Sequence, residues 1–160
     1  MLLFSQVVVA VLTISVMTGP IGHYASLRGV GPDLAILFCW AYTWFGSRDL
    51  GWKFAAMVGV VLDLILFMFP GLQTLTLMIL VAVADYLKNR FLNVSSVVQS
   101  ILILALMTLA NASVIGLVNG QFDYMVILLT GLFNVCLGII IYPLVGIRFR
   151  FFQRWAGHRL

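Results

Sequence analysis

Residues Phe54 to Phe69 read FAAMVGVVLDLILFMF. As a helix this stretch spans about 24 Å, at about 1.5 Å per residue. It carries one charge, Asp63, with nine apolar residues before it and six after. A carboxylate inside a bilayer costs about 2.5–3.5 kcal/mol on insertion scales, so it must face a partner, a cavity or a polar seam. Ala55, Gly59 and Asp63 are spaced four apart and share one helix face. Two small residues on that face let another backbone approach closely. Asp63 is therefore expected to meet protein, through a structural hydrogen bond or through a functional contact to a partner or ligand.

Composition agrees with a membrane setting. The chain has 160 residues, 63 % hydrophobic and 9 % charged, with a mean hydropathy of +1.14. Soluble domains average about 45–50 % apolar and about 25 % charged. The expected fold is an all-α membrane protein, a bundle of six transmembrane helices over residues 1–147. A basic, aromatic cytoplasmic tail would occupy residues 148–160. The net charge of +4 does not point to nucleic acid, because the basic residues flank apolar segments. Cys39 and Cys136 both lie in apolar runs and read as small hydrophobes.

The spans can be taken in order. Met1 to Thr18 is almost wholly apolar and ends at Gly19-Pro20. It lacks a basic n-region and an A-x-A site, so it reads as span one. Span two is expected over Asp33 to Gly46, with Pro32 at the helix start and Asp33 in the first turn. Its length is short for about 30 Å of hydrocarbon. Trp40, Tyr42 and Trp44 gather near its end, as in an interfacial aromatic belt. Span three leaves at Pro70-Gly71, and span four runs from Leu72 to about Leu87, with Asp85 and Lys88 as a boundary ion pair. Span five, Val94 to Leu117, carries Ser100, Thr108, Asn111 and Ser113, and Asn119-Gly120 reads as a turn. Span six, Tyr124 to Val145, holds Asn134, and Pro143 should bend the helix or mark its exit. The tail IRFRFFQRWAGHRL suits membrane lipid, with Arg in the headgroups and rings at the acyl boundary.

Six spans place Arg48, Lys53, Lys88, Arg90, Arg148, Arg150, Arg154 and Arg159 on one side and only Arg28 on the other. That bias puts both termini in the cytoplasm. Chemistry is sparse. The sequence has no Glu and no HExxH, GxSxG, phosphate loop or CxxC. No catalytic, metal or cofactor-binding residues are assigned, and an enzyme is not expected. Asn93-Val94-Ser95 and Asn111-Ala112-Ser113 match the glycosylation pattern by chance, one in a cytoplasmic loop and one in a span. Counting along the helices places Asp63 and Asn134 at similar depth near the midplane, so the two are expected to pair.

Two short runs carry a family resemblance. Gly31-Pro32-Asp33-Leu34, opening an apolar span with Trp40 and Tyr42, is similar to the second-span region of the rod shape-determining MreD family. Gly59-Val60-Val61-Leu62-Asp63-Leu64 resembles that family's G-x-x-x-D-L signature, and the run from Gly71 to Leu87 resembles the family's next segment. The family has a Ser/Gly-rich stretch after the Asp, where this chain has apolar Ile65 to Phe69. The resemblance implies a multi-pass protein of the bacterial inner membrane and a non-catalytic scaffold of the cell-elongation complex. Its implied partners are an MreC-like bitopic protein and, through the complex, the MreB cytoskeleton and peptidoglycan synthases. Pro32, Asp33, Ala55, Gly59, Asp63 and Asn134 are the candidate structural or partner-contact residues. The alternative is the substrate-binding membrane subunit of an energy-coupling-factor vitamin transporter, whose fold the family is thought to share. Such subunits dock through small residues on their first span, whereas here that span is bulky apart from Ala10. A channel is a third reading, though a pore calls for more polar lining.

Overall fold

The computed structural model describes residues 31–46, 48–66, 69–91, 97–120 and 122–157, with side chains described up to 145 apart from those of Arg48, Leu66 and Phe91. These residues form five helices and no strand: α1 (Leu34–Phe45), α2 (Arg48–Leu66), α3 (Leu72–Phe91), α4 (Val97–Val118) and α5 (Tyr124–Gly157). The span expected at Met1 to Thr18, the turn containing Arg28, the Asn93 glycosylation pattern and Arg159 lie outside the described residues. Two stretches, Val97–Val118 in α4 and Tyr124–Val145 in α5, are long and apolar enough to cross a membrane. α1 has 12 residues, about 18 Å as a helix.

Local sequence sets the helix ends. Asp33 caps α1, its Oδ1 accepting from Ile36 N at 3.1 Å. Pro32 sits just outside that cap, so the helix starts one residue later than the expected first turn. Between α2 and α3 the chain reverses at Pro70-Gly71, where Gly71 has a φ of +88° that other L-residues rarely adopt. Gly120, at φ +65°, closes α4 in the same way, and Asp123 caps α5 through Met125 N at 2.8 Å. Pro143 does not end α5, which continues as helix to Gly157.

α2 and α3 pack as one hairpin, and α4 and α5 as a second. α3 meets α4, and α1 touches all four other helices. α1 is therefore the hub. Its Ile36, Leu37, Cys39 and Trp40 are fully buried with Phe54, Leu77, Ile103 and Leu104. Trp40 and Trp44 do not form an interfacial belt, since both are buried. Trp40 Nε1 donates to Ser100 O at 2.9 Å, and its ring packs against Tyr142. Tyr42 stacks on Phe54 with centroids 4.7 Å apart. At the end of α1, Lys88 Nζ donates to Thr43 O at 2.9 Å and Trp44 O at 2.8 Å. An ammonium on terminal carbonyls satisfies groups the helix leaves open and opposes its negative end. Cys39 is buried, Cys136 is exposed, and neither is in a disulfide.

The small-residue face of α2 works as expected. Ala55 is fully buried, and a Cβ on Gly59 would run into the Thr74 backbone of α3. At Gly138 the obstacles are the ends of the Leu104 and Ile101 side chains and no backbone. Gly59→Ala should therefore destabilise the protein more than Gly138→Ala, by about 1–3 kcal/mol for an overpacked backbone contact. Thermal or detergent unfolding of the purified variants checks this, and equal losses at the two sites would contradict it.

Candidate functional site, a buried polar seam at the start of α1

The seam begins with a backbone N–H that no helix satisfies. Asp33 N donates to Asn134 Oδ1 at 2.9 Å. Asn134 Nδ2 returns a bond to Asp33 O at 3.2 Å and another to Thr108 Oγ1 at 3.1 Å. A backbone donor and a backbone acceptor on one residue fix the amide's orientation. Thr108 Oγ1 in turn donates to Leu104 O at 2.9 Å. Asn134 and Thr108 are fully buried. Asn134 lies ten residues into α5, about 15 Å from its start, so α1 begins deep inside the bundle. Irregular backbone at such depth is tolerated when protein groups satisfy it.

The Asp33 carboxylate extends the seam. Its Oδ2 accepts from Asn111 Nδ2 at 2.7 Å, while Oδ1 holds the first turn of α1. Asn111 Oδ1 accepts from Gln73 Nε2 at 3.3 Å. The two amides and the carboxylate thus tie α1, α3 and α4 together, and Asn134 adds α5. Asp33 gains from the positive end of α1 and from these N–H donors.

Asp63 and Asn134 do not pair, which corrects the expectation from depth counting. α2 starts at Arg48 and ends at Leu66, so Asp63 sits one turn from its end, beside the Pro70-Gly71 reversal. Asp63 Oδ1 accepts from Gln73 N at 2.8 Å, and Oδ2 accepts from Thr74 N at 3.1 Å and Thr74 Oγ1 at 2.6 Å. A carboxylate from one helix therefore caps the start of the next, taking two of the N–H groups that every helix leaves open.

Of the expected residues, the structure brings Asp33 and Asn134 into direct contact and joins Asp63 to Asp33 through Gln73 and Asn111. Gly59, one turn before Asp63, lies on the α2–α3 contact, and Ala55, two turns before it, is fully buried. Pro32 precedes the Asp33 cap. Gln73 does not stand out in the sequence, because it follows a turn and looks interfacial, yet it is buried. Asn111 and Thr108 stand out there only as polar residues in a span. Beside the Asp63 cap is a cavity of about 20 Å³ lined by Asp63, Phe69, Leu72, Gln73, Ile115, Val118 and Asn119, room for a single water. Among the described residues, no group of three His, Cys, Asp or Glu is placed to hold a metal ion. In comparisons with known proteins, no family model, no curated protein and no solved structure matches the chain.

Asn134→Leu would leave the half-buried Asp33 N–H without its partner and leave the Asp33 C=O only the Leu37 N–H. Its cost should be about 1–3 kcal/mol, as for buried polar groups that lose their partners. Asp63→Asn keeps only one accepting oxygen for three donors, so it should cost about 1 kcal/mol, as for a lost helix cap. Equilibrium unfolding in detergent ranks the two, and a greater loss for Asp63→Asn would refute the seam as the dominant tie.

Proposed function

We propose that this chain is a multi-pass membrane scaffold of the bacterial cell-elongation machinery, of the MreD type, that binds an MreC-like bitopic partner and catalyses nothing itself. In this reading it reaches the MreB cytoskeleton and the peptidoglycan synthases through that complex. The observation that carries the reading is what the two resemblance motifs do. Asp33 of Gly31-Pro32-Asp33-Leu34 and Asp63 of Gly59 to Leu64 both hold helix starts. Residues that fix helix starts are architectural, and architecture is what a scaffold presents.

Two further features support a six-span bundle in a cytoplasmic membrane with both termini inside. Large apolar side chains face outward on several helices, among them Leu64, Leu75, Leu102, Leu128 and Leu144, as a lipid environment would require. The basic positions also gather at one end. Arg48 and Lys53 lie at the start of α2, Lys88 and Arg90 at the end of α3, and Arg148, Arg150 and Arg154 at the end of α5. That asymmetry is the positive-inside pattern.

Single cysteines at Ser47, Asn89 and Asn119 on a cysteine-free background test the topology. Asn119 should label from outside, and Ser47 and Asn89 only after permeabilisation. Co-expression with the MreC-like protein of the same genome tests the function. Stoichiometric co-purification supports the scaffold. A vitamin retained in stoichiometric amount through detergent washes, without the bitopic partner, would favour the transporter subunit instead.

A further inference from the structure

The two capping carboxylates are linked. Gln73 gives its backbone N–H to Asp63 Oδ1 at 2.8 Å and its side-chain Nε2 to Asn111 Oδ1 at 3.3 Å. Asn111 gives Nδ2 to Asp33 Oδ2 at 2.7 Å, and Asp33 Oδ1 holds Ile36 N at 3.1 Å. We propose that the turn between α2 and α3 and the buried start of α1 form one coupled unit, so that disturbing the exposed turn loosens the first turn of α1.

Three features favour coupling along this route. Gln73 is 7 % exposed and Asn111 fully buried, so neither side chain has bulk water as a ready alternative partner. The Gln73–Asn111 bond, at 3.3 Å, is the longest of the set, so a shift of α3 breaks it first and leaves Asn111, which holds Asp33 Oδ2, with one partner fewer. The cavity of about 20 Å³ lined by Gln73 and Phe69 leaves that side of Gln73 less tightly packed. Phe69, 60 % exposed, and Pro70 and Gly71, also exposed, form the handle. The two ends of the unit are thus an accessible loop and the hub helix, which touches all four other helices. A contact made at the loop would reach the whole bundle through α1. The inference stands on the bonds themselves and is independent of the cellular role.

Hydrogen exchange of the full chain in nanodiscs tests it, read at the amides of Ile36 and Leu37. Asp63→Asn should speed exchange there by about fivefold, the lower range of coupling between linked sites. Gln73→Leu keeps the backbone N–H to Asp63 but cuts the link. In that background Asp63→Asn should still speed exchange at Gln73 to Leu75 and leave Ile36 and Leu37 as they are. If Asp63→Asn does not fold, Thr74→Val removes one bond to Asp63 and serves in its place. The coupling is overturned if the effect stays confined to the start of α3, or if it reaches α1 equally in the Gln73→Leu background.

Discussion

The bonds between Asp33 and Asn134 hold up the rest of the structure, because they let a helix begin where helices seldom begin. A free N-terminus in an apolar interior exposes several N–H groups that cost free energy unless met. Here the cap side chain meets Ile36 N, and Asn134 meets both backbone groups of Asp33 itself. With the start satisfied, α1 can be short and central. At its other end Lys88 covers two carbonyls, so both ends of the hub are closed with the help of side chains from other helices. The same side chains fix where those helices must stand.

This explains a feature of the composition. α4 and α5 are apolar on all sides, so burial of apolar surface cannot by itself select one face of either. In lipid the hydrophobic effect does not separate helix contacts from lipid contacts, and packing of small residues and polar bonds decides instead. Thr108 and Asn111 mark the inward face of α4, and Gly131, Asn134 and Gly138 mark that of α5. Each bond is weak, averaging about 0.6 kcal/mol where interhelical bonds in membranes have been measured. Their value lies in discrimination: a helix rotated by half a turn would carry its Asn out of the bundle.

The helices and their turns are legible in the sequence; the depth and orientation of particular residues are not. Pro32-Asp33, Pro70-Gly71 and Asn119-Gly120 are punctuation with fixed backbone meaning, and each falls at an element boundary. The shortness of the α1 segment is visible, but nothing in its residues says that the start is buried. Asp63 is misplaced when its depth is counted from Phe54, because α2 begins at Arg48, six residues and about 9 Å earlier. Trp40 and Trp44 read as an interfacial belt because they lie near a helix end, a rule that holds only for helices standing at the rim. Gln73 escapes notice for the same reason, since a polar residue just past a turn looks solvated until the neighbouring helix is in place.

The separation of Asp63 from Asn134 also shows what the polar residues are doing. Each is a polar group on an apolar helix that needs partners, and each meets backbone rather than the other. Backbone N–H groups at a helix start are fixed in place by the fold, so a carboxylate or amide that meets them loses little further freedom. A side-chain pair across two helices must order both partners. Where a helix start lies within reach, capping is therefore the better use of an acid on an apolar helix than an interhelical pair. That preference brings Asp63 to α3 and Asp33 to α1, and it leaves the amides of Gln73, Asn111 and Asn134 to carry the connections between helices.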